Sequence, residues 1–254
     1  MTGRILAGLV AIACVGALAV APAGASGPPV ATYDVTIENL TRGQPFTPPV
    51  IATHRGAGAI WHPSRASSFQ VKEIAENGNN APLLDLLRQR RLSGRVFDYV
   101  NMASTAMAPG PLVPAGRPGS ATFPATVKAR IRSSRREDRL SWVSMLVCTN
   151  DGITGVDGMR LPSKRGRSVT VKVAAYETQT ERNTEDLADI MPPCQGLIGA
   201  RAPDGAPGVA QSNPELREEG VIIPHSGLVG GKELDPAVHG WGNPVGKIVV
   251  RRVR

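Results

Sequence analysis

The sequence predicts an all-β protein, an antiparallel β-sandwich with two short helices. Residues 32–40 alternate, with Tyr33, Val35 and Ile37 on one face and polar residues on the other, which is typical of a half-buried strand. Residues 140–148 are apolar on both faces, as in a central strand. Further strand patterns recur between turn residues at 96–102, 123–131, 169–176, 221–224 and 247–253. Short strands at such intervals indicate a sandwich or a barrel.

Residues 45–53 are also extended, but Pro48 and Pro49 interrupt them. Proline cannot donate to a sheet ladder, so we expect this segment at a sheet edge or across a barrel end.

Two helices are predicted between the extended segment at residues 45–53 and the strand pattern at residues 96–102. Ser67 or Ser68 caps the first, which turns Phe69, Ile74 and Ala75 inward and ends at Gly78. Asn80 caps the second, with Pro82 in its first turn and an apolar face of leucines. The pattern assigns Glu73 and Glu76 to the solvated face of the first helix.

Residues 1–25 are predicted to be a cleaved secretory signal. Arg4 precedes an apolar run, and Ala23-Gly24-Ala25 has the small-x-small pattern of a cleavage site. The alternative is an uncleaved N-terminal anchor. Residues 26–31 are then a linker and 32–254 a single domain, and no later stretch is long enough to span a membrane. We expect a secreted protein that is extracellular, periplasmic or associated with the cell surface.

The cysteines indicate one disulfide. Cys14 lies in the signal, which leaves Cys148 and Cys194. An even pair in an oxidising compartment predicts a bond between them. The alternative is two free, buried thiols.

The net charge is +8 and the pI about 9.9, but the positive residues are dispersed along the chain. Aromatic residues make up only 4% of the sequence, so base-stacking platforms and specific nucleic-acid binding are not expected. Solvated loops and helix ends account for the cations, with weak attraction to anionic surfaces or polymers left open. The partners that fit are an extracellular protein, a polysaccharide or an anionic surface. The sequence does not predict the oligomeric state.

Acidic residues gather at strand ends within residues 146–185. Asp151 follows one strand, Glu177 ends the next strong strand, and Glu181 lies four residues on. If the two strand ends share one edge of the sandwich, three carboxylates meet and a hard cation such as calcium relieves their repulsion. The alternative is that the acids are dispersed and hydrated, with Glu181, Glu185 and Asp186 favouring a helix N-terminus. Asp157, in the intervening loop, is interpreted as a turn residue.

No catalytic group is predicted. The four histidines, His54, His62, His225 and His239, lack a motif around them, and neither a Gly-x-Ser-x-Gly elbow nor an HExxH sequence is present. A non-enzymatic domain is therefore expected. The alternative is a hydrolase whose histidine and serine are brought together by the fold.

Ordered motifs over residues 32–253 resemble spondin-type domains, especially their bacterial members. The strongest is the run from Ser144 to Gly152, SMLVCTNDG, followed by GVDG at 155–158. Others are the segments 35–41, 46–54, 74–78, 175–181 and 241–248. The resemblance implies a β-sandwich similar to C2 domains, an extracellular location, a role in adhesion, and a calcium site on Asp151, Glu177 and Glu181. Glu177 stands where the family usually has Asp, and Cys148 replaces a proline common in the animal proteins.

Overall fold

The computed structural model describes residues 29–102 and 110–254. The predicted signal, the start of the predicted linker and part of the long loop after the third strand lie outside these ranges. Within them the chain is an all-β sandwich with short helices, which confirms the predicted fold class. No helix in the described part is long and apolar enough to cross a bilayer.

The strands are built mainly from the predicted alternating and apolar segments. They are β1 (Val30–Asn39), β2 (Val50–His54), β3 (Val96–Asn101), β4 (Thr126–Ser134), β5 (Arg139–Met145), β6 (Gly152–Arg160), β7 (Ser168–Val173), β8 (Ala175–Glu177), β9 (Ile223–Pro224) and β10 (Gly246–Arg252). The helices are α1 (Phe69–Asn77), α2 (Ala81–Leu92), α3 (Pro193–Ile198) and α4 (Pro236–His239), with 3₁₀ turns at Pro118–Ala121 and Pro214–Leu216.

Two antiparallel sheets form the sandwich. The four-stranded sheet has the order β4-β1-β10-β7, and the six-stranded sheet has the order β3-β2-β5-β6-β8-β9. Tyr33, Val35 and Ile37 of β1 face Ile51 and Trp142 of the other sheet in the main core. Burial of these apolar faces is the dominant stabilising contribution.

Helices α1 and α2 cover the outer face of the six-stranded sheet. Ile74, Leu83 and Leu87 of the helices pack with Val143 and Met145 of β5 in a second apolar cluster. Ser68 caps α1 by accepting a hydrogen bond from the Val71 N–H, and Gly78 ends it in the left-handed conformation, both as predicted. Phe69, predicted to face inward, is 62% exposed because it is the first residue of the helix, before the buried stripe begins.

The predicted edge position of the second strand is wrong. Strand β2 lies inside the six-stranded sheet, paired on one side with β3 and on the other with β5. The two prolines precede Val50, the first residue of the ladder, so their missing N–H groups do not interrupt the pairing. The predicted linker is also too long by two residues, since Val30 and Ala31 already belong to β1.

The interpretation of the segment around Asp157 as a loop is wrong as well, since residues 152–160 form β6. Glycines at 152, 155 and 158 argue against a strand by propensity, but two of them are required by the packing. A Cβ on Gly155 would meet the Trp142 carbonyl oxygen at 2.1 Å. Gly158 has φ +63° opposite the irregularity between Leu140 and Trp142.

The single predicted strand at 169–176 is divided between the two sheets. Strand β7 pairs with β10 in the four-stranded sheet, whereas β8 pairs with β6 in the six-stranded sheet. The chain therefore changes sheets at Ala174, and this crossing delivers Glu177 to the end of β6.

Candidate functional site

A tightly held turn presents Asp151 at the start of β6. The Thr149 hydroxyl donates to the Leu146 carbonyl at 2.7 Å and accepts from the Gly152 N–H at 2.8 Å. The Gln44 side chain bonds both the N–H and the carbonyl of Cys148. These bonds fix the backbone on each side of the carboxylate, so its position is set by the fold.

Strand pairing brings the predicted acidic strand ends together. Gly152 is the register partner of Glu177, which places Asp151 beside Thr178. The Thr178 N–H and hydroxyl both donate to the Asp151 carbonyl, at 3.3 and 3.1 Å. The strand ends thus share one edge of the sandwich, which is the condition that the sequence-based prediction of the cation site required.

The two carboxylate oxygens of Asp151 have opposite environments. Oδ2 accepts hydrogen bonds from the Thr178 hydroxyl at 3.0 Å, the Thr180 N–H at 2.8 Å and the Glu181 N–H at 3.3 Å. Oδ1 is buried and has no hydrogen-bond partner among the residues that the structure describes, on a residue with 0% exposure. A buried acceptor without a donor is costly, so this oxygen is a point at which a ligand would restore lost interactions.

Glu177 and Glu181 both lie near Asp151, since Glu177 is the register partner of Gly152 and the Glu181 N–H donates to Asp151 Oδ2. Glu181 is 3% exposed, and its Oε1 accepts from the Asn213 N–H at 2.5 Å. Glu177 is partly exposed, and its Oε1 accepts from the Asn183 amide at 2.6 Å. Each glutamate thus has one carboxylate oxygen held by a donor.

Glu76 is the site residue that sequence reasoning misses. The helical pattern assigns it to the solvated face of α1, but its side chain is fully buried, with Oε1 3.3 Å from the Lys72 ammonium. Among the described residues, neither of its carboxylate oxygens has a partner with hydrogen-bond geometry. Its charge raises the pKa of both Asp151 and Glu181. No residue near Glu76 in the sequence signals this burial, so only its tertiary neighbours could reveal it.

In the acidic cluster (Glu76, Asp151, Glu177 and Glu181), burial and neighbouring charges disfavour the charged forms of Asp151, Glu177 and Glu181. Burial raises the pKa of Asp151 to about 6, against the opposing effect of the donors on its Oδ2. Burial, with the Asp151 and Glu218 charges, raises the pKa of Glu177 to about 7. Burial and the Glu76 charge raise the pKa of Glu181 to about 7. Carboxyl groups with raised pKa values at neutral pH favour either a proton or a cation.

One internal cation already stands at the cluster. The Lys72 ammonium lies 3.3 Å from Glu76 Oε1, with its side chain 32% exposed. Lys72 also lines, with Thr180 and Asn213, a surface cavity of about 540 Å³ that opens beside the cluster. Within residues 29–102 and 110–254, no three carboxylate, imidazole or thiol side chains are arranged as a preformed metal site. An ion would therefore have to draw the carboxylates closer and displace the lysine.

The neighbouring acids have other partners. The Glu185 carboxylate accepts from the Val229 and Gly230 N–H groups at 2.6 and 2.7 Å. Asp186 lies 3.2 Å from the Lys232 ammonium. Residues 178–192 contain no helix, so the alternative in which these acids favour a helix N-terminus is wrong. Both side chains instead bind the loop at residues 229–232.

Comparisons with known proteins do not identify a family for this fold and site. No protein-family model matches the chain, and a search of curated proteins finds no match. The spondin-type resemblance therefore rests on the motifs in the sequence and stays a prediction.

Cys148 and Cys194 form the predicted disulfide, with their Cα atoms 5.1 Å apart. Cys148 lies three residues before Asp151, and Cys194 belongs to α3. The bond joins the turn that presents Asp151 to a third apolar cluster, which includes Leu187, Ile190 and Leu197. Closing a loop of 46 residues contributes about 4 kcal/mol in the chain-entropy account.

A histidine and a serine are also brought together, but inside the protein. His54 Nε2 lies 2.8 Å from the Ser141 hydroxyl, which accepts from the Gly158 N–H at 2.8 Å. Asp157, interpreted as a turn residue, lies in β6 and accepts from the Gly58 N–H at 2.6 Å. His54 and Ser141 are both 0% exposed. This polar network joins β2, β5 and the irregular part of β6, where a substrate has no access.

Proposed function

We propose that this chain is an exported, non-enzymatic domain that binds calcium at the acidic cluster and acts in surface recognition. The observation that carries the proposal is the buried Oδ1 of Asp151, which has no hydrogen-bond partner among the described residues. The Glu76 carboxylate is also buried, and its Oε1 lies 3.3 Å from the Lys72 ammonium. A buried carboxylate oxygen without a donor is costly. A divalent ion would supply the charge and the coordination that Asp151 Oδ1 lacks.

The chemistry of the available donors favours calcium over a transition metal. The acidic side chains of the cluster offer carboxylate oxygens as ligands, and calcium takes six to eight oxygen ligands in flexible geometries. Glu76, Asp151 and Glu181 would hold the ion, with Glu177 at the more exposed side and water completing its coordination. The length of the Glu177 side chain suits this outer position better than a central one.

Export and surface recognition have separate support. The segment 1–25 has the pattern of a secretory signal, and a disulfide is typical of oxidising compartments. The ordered spondin-like motifs support adhesion as the role. The competing proposal is a structural domain in which Lys72 is the permanent counter-ion of the cluster, and its 3.3 Å contact with Glu76 is the observation that favours it.

Calorimetric titration of the purified chain with calcium chloride at pH 7.5 distinguishes the calcium-binding domain from the structural domain. We expect saturable binding, and stabilisation by about 2.7 kcal/mol at a calcium concentration one hundred times the Kd. Asp151→Asn should abolish both effects because it removes the central charge. Asp85→Asn, on the exposed surface of α2 beside Arg88, is the matched control and should bind as the wild type does. Absence of calcium binding by the wild type would favour the structural domain.

A further inference from the structure

The outer face of the four-stranded sheet is basic, and in the described part of the chain no helix packs over it. Residues that alternate with the core-facing ones point outward, and their register aligns cations across the sheet. These outward cations are Lys128, Arg130, Arg132, Lys172, Lys247 and Arg251. Helices α1 and α2 cover the other sheet, and no helix of the described ranges contacts this one closely. Cations that are dispersed in sequence are therefore gathered by the fold.

Carboxylates on this face balance only part of the charge. Asp34 pairs with Arg130 at 2.8 Å, and Glu38 pairs with Lys247 at 2.6 Å. Among the described residues, Lys128, Lys172 and Arg251 have no carboxylate within 4.0 Å. Exposed ion pairs contribute little to stability, so this surplus charge has no evident structural role. Its field would attract anions.

The cations border a groove of about 610 Å³ whose lining residues come from all four strands of the sheet. Lys128 and Arg130 of β4 form one wall, and Arg251 of β10 forms the other. Arg130 and Arg251 both have Asp34 as register partner, so their backbones are two strand spacings, roughly 10 Å, apart. The floor carries the hydroxyl of Thr36 and one outward apolar side chain, Val249.

We propose that this groove binds a linear acidic polysaccharide. Its cations alternate with the Asp34 carboxylate and the Thr36 hydroxyl, which matches a polymer whose charged groups are separated by sugar hydroxyls. A contiguous polyphosphate would bring phosphates against Asp34. A bilayer would find no large apolar or aromatic side chain in the groove to insert, and bases would find no stacking platform. This site is separate from the acidic cluster and does not depend on it.

The test measures binding of a fluorescent chondroitin sulfate oligosaccharide to the purified chain over a series of sodium chloride concentrations. Lys128→Gln with Arg251→Gln removes one cation from each wall. We expect affinity to fall about tenfold, with a shallower salt dependence, because fewer counterions are released. Arg91→Gln with Arg201→Gln removes the same charge from exposed positions away from the groove and should change affinity less than about twofold.

Three results would overturn the proposal. The first is an equal loss of affinity for the oligosaccharide in the control double variant. The second is the absence of saturable oligosaccharide binding by the wild type at low salt. The third is tighter binding of the wild type to linear polyphosphate of equal charge or to phosphatidylglycerol vesicles. Calcium titration of the groove variant should match the wild type, so failure of the groove and failure of the calcium site are distinguishable.

Discussion

At the scale of single residues, Glu76 decides how the acidic cluster behaves. Its buried carboxylate lies 3.3 Å from the Lys72 ammonium. Burial is the main cause of the raised pKa of Asp151 and Glu181, and the Glu76 charge raises both further. Removing its charge relieves repulsion in the calcium-free protein but removes a ligand from the proposed site. One substitution should therefore shift the calcium-free and calcium-bound states in opposite directions.

We predict that Glu76→Gln stabilises the domain in chelator at pH 7.5 by on the order of 1 kcal/mol. The same change should reduce the stabilisation that calcium produces. Thermal unfolding with and without calcium measures both effects. Glu73→Gln is the matched control, because Glu73 lies on the same helix with amide partners at Asn77 and Asn79, and it should leave the calcium response unchanged. A loss of stability in Glu76→Gln would instead identify Glu76 as the structural partner of Lys72.

At the scale of elements, β6 joins the core to the site, because it begins directly after Asp151 and pairs with both β5 and β8. Gly155 permits this close pairing. A methyl group there would stand 2.1 Å from the Trp142 carbonyl oxygen, in the backbone of the neighbouring strand. The two strands would have to separate locally to admit it.

Gly155→Ala should therefore lower the free energy of unfolding by about 2–3 kcal/mol, measured by urea denaturation. Gly196→Ala is the control, since Gly196 lies within α3 and no atom stands within 4 Å of the position that a Cβ would occupy there. Alanine at this position should stabilise by up to about 1 kcal/mol through helix propensity. Equal effects of the two substitutions would contradict the close β5–β6 contact.

The strands differ in how far the sequence could predict them. Alternation predicts β1 and β4, and apolar continuity predicts β5, because in each case burial follows strand periodicity. Strand β6 escapes prediction because its glycines are selected by the neighbouring backbone and not by strand propensity.

The residues of the candidate site also differ in whether the sequence could predict them. Asp151, Glu177 and Glu181 could be predicted because they follow recognisable strand ends. Glu76 could not be, because its burial depends on contact between α1 and segments more than 70 residues away, near Asp151 and Glu181. A helical pattern gives no information about such neighbours.

At the scale of the whole molecule, opposite charges are separated. Surplus cations occupy the outer face of one sheet, whereas the acidic cluster is buried at an end of the other. A basic protein thus keeps a negative interior site, where low solvent exposure strengthens the interactions among carboxylates. This separation makes stability depend on pH in a way that net charge alone would not predict.

Stability in chelator should fall as pH rises through the range in which the cluster ionises. The folded-state pKa is about 6 for Asp151 and about 7 for Glu177 and Glu181, above the ordinary values of 3.8 and 4.5. The folded protein therefore binds more protons than the unfolded chain between about pH 4 and 7. This contribution is fully present below the ordinary pKa values and is lost as pH rises through the folded ones.

Buried His225 makes stability depend on pH in the opposite direction, because burial lowers its pKa to about 4. Its neutral form stabilises the fold above about pH 6.5, and that contribution is lost as pH falls. Comparing the wild type with Asp151→Asn cancels this histidine contribution. Between pH 5 and 7.5 we expect the wild type to lose on the order of 2 kcal/mol relative to the variant, measured by urea denaturation in chelator. Calcium should restore the wild type at pH 7.5 and have little effect at pH 5, where protons occupy the carboxylates. Parallel pH profiles of the two proteins would show that the cluster carries no such repulsion.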